Sequence, residues 1–193
     1  MQRSDHPTHE RILDAAEACV QRLGLRHLSV GEVARRAGVS RGSVYRYFAD
    51  RDALIDAVLE RVAERFVAGS RPAVARRRSL AAQVGEAAVF IREHVDDEQL
   101  TLPLGEEDSI LATLLTARSS SLVERWVEFW QPFLARAAAR GEIRDDLDHQ
   151  AAAEWIVRLL LSLVLMPSVA VDLDDPEAVR HFVQSHIVRG LGR

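Results

Sequence analysis

The stretch Leu28-Ser-Val-Gly-Glu-Val-Ala-Arg-Arg-Ala-Gly-Val-Ser-Arg-Gly-Ser-Val-Tyr-Arg-Tyr-Phe-Ala-Asp-Arg-Asp-Ala-Leu54 decides the architecture of this chain. Ser29 and Glu32 have capping-box spacing, and Leu28 with Val33 has the spacing of a hydrophobic staple, so a helix starts here. It stops at Ala37, where Gly38 suits a left-handed turn. A second helix begins at once. Ser40 is its N-cap, Val39 and Val44 repeat the staple, and Val44 and Phe48 share one inward face. A third helix follows the Asp50 cap and carries Leu54, Ile55, Val58, Leu59, Val62 and Phe66. Two short capped helices joined by Gly-Val-Ser form a helix-turn-helix, a unit whose second helix enters the DNA major groove.

The outward residues of that second helix fit a polyanion. With Val44 and Phe48 inward, Arg41, Ser43, Tyr45, Arg46 and Tyr47 face out. Arginine clamps phosphate or reads guanine with two parallel bonds, and tyrosine hydroxyls bond phosphate. Gly42 lowers helix propensity by about 1 kcal/mol and permits close backbone approach. Between Arg26 and Arg51 there are six Arg and two acids. Arg51 lies in the first turn of its helix, where the macrodipole disfavours a cation but favours a bound anion.

Charge is distributed to match. The 193 residues carry a net charge of −4, and every basic side chain is Arg. Residues 1–78 hold 15 Arg and 10 acids, a net of +5; residues 79–193 hold 10 Arg and 19 acids, a net of −9. A basic module on an acidic body suggests a small polyanion-binding unit. The absence of Lys has a second reading, a genome that prefers Arg codons.

The whole chain reads as all-α, with about nine helices and no sustained strand alternation. The first covers about Thr8–Leu23, with Ile12, Ala15, Ala16, Cys19, Val20 and Leu23 on one face and Gly24 as its stop. The helix that starts after Asp50 is predicted to end near Gly69, and residues 69–78 read as a linker. The predicted domains are therefore 1–68, binding DNA, and 69–193, binding an effector and dimerising. Beyond them come helices over about 79–95, 107–117, 121–139 and 149–166, and a ninth capped by Asp175 with Pro176 first. Pro132 predicts a kink in the seventh.

At this point the residues resemble a known family. Over about residues 8–60 the chain is similar to the DNA-binding domain of TetR (tetracycline-repressor-like) regulators. The Ala-Gly-Val-Ser turn, the Tyr45, Tyr47 and Phe48 cluster and the Asp50 cap before Leu54 carry the likeness. The resemblance implies a DNA surface of Ser29, Arg41, Gly42, Ser43, Tyr45, Tyr47 and Arg51, to which the outward reading adds Arg46. It also implies a homodimer closed by the eighth and ninth helices, a pocket in helices four to eight, and repression relieved when a small effector shifts helix four. The position of Arg51 is usually Lys in that family, and Tyr47 stands where His is also common. The second half is only loosely similar, so no pocket residue carries over.

The residues of that half carry their own signals. The eighth helix is apolar nearly all round except for Glu154, Arg158 and Ser162, so it needs more than its own core to cover it. Paired with the ninth, it fits an isologous four-helix bundle. Candidate interface residues are Trp155, Leu159, Leu163, Phe182 and His186; a monomer with a deep core is the alternative. Phe90, His94, Trp126, Trp130 and Phe133 are candidates for an aromatic effector pocket, with plain core packing as the competing reading.

Other classes find little support. There is no Gly-rich phosphate loop, nucleophile elbow or His/Cys metal spacing. No catalytic residue, metal or cofactor is therefore expected. His181 and His186 are five apart, off the helical ligand spacing, and His9-Glu10 lacks a second His. The longest apolar run, Trp155–Val171, is broken by Arg158 and Pro167, which argues against a membrane span. One cysteine and a polar start fit the cytoplasm. The sequence thus predicts a DNA-binding regulator, in the form of a repressor released from a palindromic operator by a small molecule. A helical protein-interaction module without DNA binding is the alternative, and activation in place of repression stays open.

Overall fold

The computed structural model describes residues 6–94 and 120–192. Among them the chain is all helical. The elements are α1 (His6–Leu23), a 3-10 turn (Leu25–His27), α2 (Val30–Ala37), α3 (Arg41–Tyr47), α4 (Arg51–Ala75), α5 (Leu80–His94), α6 (Ser120–Ala139), α7 (His149–Leu165) and α8 (Pro176–Leu191). The helix expected over 107–117 lies outside the described residues. No described helix is long and apolar enough to cross a membrane.

The chain divides into two compact units. Of the described residues, 6–64 belong to the first and 65–94 with 120–192 to the second. In the first, α1 packs on α2 and α2 on α3. Ile12, Ala16, Cys19 and Val20 of α1 are completely buried, as is Val33 of α2, and Val44 and Phe48 are nearly so. The apolar periodicity of α1 is thus the face that carries α2. Burial pushes the Cys19 thiol up from its ordinary pKa. Arg61 of α4 reaches back to α1, ion-paired with Asp14 and lying 3.7 Å from Glu10 and 3.8 Å from Glu17.

Two local expectations differ from the structure. The capping box does not form: the Ser29 side chain makes no cap bond. Glu32 instead accepts from Arg35 (2.6 Å) on its own helix and from Arg22 (2.9 Å) on α1. An ion pair across two helices has displaced a bond to the backbone, and it holds the Glu32 carboxyl below its ordinary pKa. The second difference is the length of α4, which passes through Gly69 and Pro72 and ends at Ala75. Val74 in that last turn is completely buried in the core of the second unit, and Val67 packs against the same core. Burying such a side chain contributes about 1.5–3 kcal/mol. That is comparable with the roughly 3 kcal/mol cost of proline inside a helix, so residues 69–75 are helix where a linker was expected.

In the second unit α5 packs against α8 and α7, and α6 against α7. Phe133, Leu134, Ile143, Ile156 and Val183 fill its centre, each at most 2% exposed. Asp148 caps α7 by accepting from the Gln150 and Ala151 amides, and Asp175 caps α8 by accepting from Glu177. Gly141, at φ 68°, turns the chain out of α6.

Candidate nucleic-acid interface

α3 is presented by its caps and by two buried anchors. The Ser40 hydroxyl accepts from the Ser43 amide at 3.0 Å and lies 2.9 Å from the Ser43 hydroxyl, so Ser43 is tied to the cap. Asp50 accepts from the Ala53 amide at 2.8 Å and starts α4. Val44 and Phe48 seat α3 inward, which leaves Arg41, Gly42, Tyr45 and Arg46 exposed and Ser43 and Tyr47 half-buried. Tyr45 is 46% exposed, unusual for so large an apolar ring. The Arg46 guanidinium lies 5.2 Å from the Tyr47 ring centre, a cation–π distance. His9 of α1 stacks on Phe48 at 5.2 Å and meets the edge of Tyr47 at 5.9 Å, so α1 buttresses the far end of α3.

Gly42 is unexplained by the protein around it. A methyl group there would meet only the Ser40 hydroxyl, at 3.8 Å, which is ordinary contact. Gly31 is similar, with Ser29 Oγ at 3.7 Å and Arg41 Nε at 4.0 Å from the same hypothetical atom. Neither glycine has a positive φ. Ser29, exposed and without a cap bond, and Arg41 thus stand beside an open glycine surface. Gly31 was not singled out from sequence; its helical position gave no signal.

Arg51 is placed differently from the expectation that it faces DNA. Its Nε donates to the Leu28 carbonyl at 2.8 Å, and its Nη2 donates to Leu25 at 2.7 Å and Arg26 at 2.8 Å. Its Nη1 lies 3.4 Å from Asp52. Hydrogen bonds to a charged group contribute about 1.5–3 kcal/mol each, and a phosphate would have to compete with three. A second arginine, overlooked in the sequence, does similar work: Arg11 of α1 donates to the Ala37 carbonyl at 2.5 Å. Its partner is 26 residues away, so no local pattern announces it.

The arginines of this unit therefore divide by role. Arg35 is paired with Glu32, and Arg11 and Arg51 bond backbone carbonyls. Arg41 and Arg46 on α3 and Arg36 on α2 present exposed side chains. α3 thus exposes two arginines, Tyr45 and a glycine that the surrounding protein does not require. The family model described as "Bacterial regulatory proteins, tetR family" matches residues 12–58, which run from within α1 through the first two turns of α4.

Over those residues the chain resembles the TetR family. It is 26% identical to the HTH-type transcriptional regulator BetI of Escherichia coli O139:H28 over 205 aligned positions, which cover 92% of each chain. Its fold is that of a putative TetR-family regulator from Rhodococcus sp., at TM-score 0.66 and 22% identity over 96% of this chain and 99% of that one. The regulator FadR of Bacillus subtilis, solved with stearoyl-CoA, gives TM-score 0.65 and 18% identity over 95% and 99%.

The five candidate pocket residues fall into separate groups. Trp130 and Phe133 are 2% and 1% exposed and cluster with Phe129. Arg71 lies 4.9 Å from the Phe129 ring and Arg136 4.7 Å from that of Phe133. They are core. Trp126 is half-buried against the same core. Phe90 stacks on His94 at 4.1 Å and meets the edge of Phe66 at 5.4 Å, forming a half-buried aromatic column. The His94 Nδ1 is 2.9 Å from the Phe90 carbonyl. A cleft of about 190 Å³ beside α5 is lined by Val89, Arg92, Leu173 and Val179 among others, and by none of the five.

The candidate dimer residues also divide. Trp155 is 38% exposed, His186 is exposed, and Leu159 and Phe182 are half-buried. Leu163 is only 7% exposed and belongs to the chain's own core. The Trp155 ring lies over Gly190, 3.5 Å from where a β-carbon would stand. The exposed surfaces of α7 and α8 thus meet at that contact.

Proposed function

We propose that this chain binds a palindromic operator as a homodimer, represses transcription from it, and releases it when a small molecule binds the second unit. The observation that carries the DNA reading is the exposed face of α3. Arg41, Tyr45 and Arg46 surround Gly42, at which the protein itself leaves room for a side chain. Ser29, Ser43 and Tyr47 complete the proposed contact surface. Arg41 and Arg46 have the donors for guanine edges or phosphates, and Ser29 and the tyrosines have hydroxyls for phosphate. Two such helices related by a two-fold axis would read half-sites roughly 34–36 Å apart.

The dimer would use α7 and α8, through Trp155, Leu159, Phe182 and His186, because that apolar surface is uncovered in one chain. For the effector, the half-buried column of Phe66, Phe90 and His94 supports an apolar ligand with one polar group. Release requires that the ligand favour one of two arrangements of the protein over the other. FadR of Bacillus subtilis, a protein of this fold, was solved with stearoyl-CoA, whose acyl chain is apolar; for this chain, an effector with an acyl or other largely apolar part is a proposal. A helical module that binds protein and not DNA fits the arginine and glycine composition of α3 less well.

The test is selection of genomic DNA by the purified chain at moderate salt, followed by sequencing. A single enriched palindrome supports the reading, and its flanking genes name the effector class to screen. Uniform, salt-labile retention with no shared motif overturns it, since backbone charge alone gives that result.

A further inference from the structure

We propose that Arg51 and Arg11 are positioning residues for DNA recognition, holding α2 by backbone carbonyls at its two ends and thereby fixing how α3 is presented. The inference rests on the DNA reading above, but it assigns Arg51 a role different from the phosphate contact that the family resemblance implies.

The geometry is two-sided. At the start of α2, Arg51 reaches from α4 with a fork of donors to the carbonyls of Leu25, Arg26 and Leu28, all between 2.7 and 2.8 Å. These three carbonyls belong to the turn that delivers the chain into Ser29 and α2. At the other end, Arg11 reaches from α1 to the carbonyl of Ala37, the last residue of α2. The last carbonyls of a helix have no donor within it, and a cation there also suits the macrodipole. Gly38 follows at φ 66°, and a β-carbon on it would lie 3.3 Å from the Arg11 Nη2. The turn between α2 and α3 is thus shaped around that guanidinium.

α2 has eight residues and α3 seven. Helices that short are marginal alone, so their orientation comes from tertiary contacts. α2 and α3 share the Gly38–Ser40 turn, fixed by the Gly38 amide donating to the Ala34 and Arg35 carbonyls and the Val39 amide to that of Ala34. Whatever holds α2 at both ends therefore sets α3. Lysine cannot replace arginine in this role: its ammonium is a compact point charge without the planar fork that spans three separated carbonyls. As a phosphate contact, by contrast, lysine serves as well as arginine.

The test compares wild type with Arg51→Lys, Arg51→Ala and Arg11→Lys. Each is measured for binding to the duplex returned by genomic selection, and to a mixed-sequence 30-base-pair duplex, across a salt series. Amide exchange of the free proteins is followed over residues 25–38. As positioning residues, Arg51→Lys and Arg11→Lys bind the selected duplex about tenfold or more weakly. Their salt slope stays that of wild type because no charge is lost, and exchange over 25–38 is faster. If Arg51→Ala fails to fold, the two lysine variants, checked by their helical circular dichroism, carry the comparison. Arg51→Lys binding like wild type, with Arg51→Ala losing about 0.9 from the salt slope, makes Arg51 a phosphate contact and overturns the inference. Unchanged exchange over 25–38 in both lysine variants also overturns it. A wild-type chain that binds neither duplex overturns the DNA reading itself, and the inference with it.

Discussion

Glu142, in the turn after α6, accepts the backbone N–H of Leu80 at 2.8 Å and so caps the start of α5 from 62 residues away. Its other oxygen pairs with Arg140 at 2.5 Å. Burial pushes the Glu142 carboxyl up, while Arg140 and the Leu80 amide pull it down further, leaving it below its ordinary pKa. A carboxyl depressed in the folded state adds stability above the pKa of the unfolded chain, and that stability is lost as pH falls through the folded value. We expect Glu142→Ala to lower stability by about 1–2 kcal/mol at pH 7. The deficit should shrink as pH drops through and below the ordinary carboxylate range. Denaturant unfolding at pH 7 and pH 3 checks this; an equal deficit at both would mean that the charge is irrelevant.

Gly42→Ala separates folding from recognition. Helix propensity predicts a gain of about 0.5–1 kcal/mol in stability, because the new methyl group meets only ordinary contact. If DNA approaches the α3 backbone at this point, the same methyl weakens operator binding. Melting temperature and duplex affinity on one protein sample decide it. A variant that is more stable and binds as well as wild type would remove Gly42 from the interface.

Phe133 and Phe90 were both candidates for the effector pocket, and their surroundings now distinguish them. Phe133→Ala empties a site that is 1% exposed and should cost about 3–5 kcal/mol. Phe90 is half-buried, so Phe90→Ala should cost clearly less and act mainly on effector response. Parallel denaturant titrations test the order, and a reversed order would contradict the packing.

Trp155→Glu tests the dimer. Trp155 and Gly190 meet on the exposed side of α7 and α8, so a carboxylate there should cost the single chain little. Across an apolar two-fold interface it would face its own copy and drive dissociation. Sedimentation should show a monomer that keeps its helical spectrum. Persistence of a dimer at micromolar concentration would move the interface elsewhere.

The helix-turn-helix was legible in residues 28–54 because its determinants are local. Ser40, Asp50, Asp148 and Asp175 each cap an amide two or three residues on, and such bonds depend on neighbours in sequence. The apolar spacing of α1 likewise named its buried face from Ile12 to Val20, whereas Leu23, expected on that face, is 42% exposed at the helix end. The sequence by itself thus determined the helical order, the turn at Gly38 and the residues left outward on α3. Tertiary structure decided the cases where a side chain has two suitors. Glu32 fits a capping box, yet Arg22 and Arg35 hold it. Arg51 fits a phosphate site, yet three carbonyls 23 to 26 residues away take its donors. Residues 69–75 have the composition of a linker, yet burial of Val74 keeps them helical. Trp130 and Phe133 suit a pocket or a core, and close packing with Phe129 makes them core. In each case the competing energies are similar in size, and the outcome depends on which distant groups the fold brings within bonding distance, which spacing along the chain does not encode.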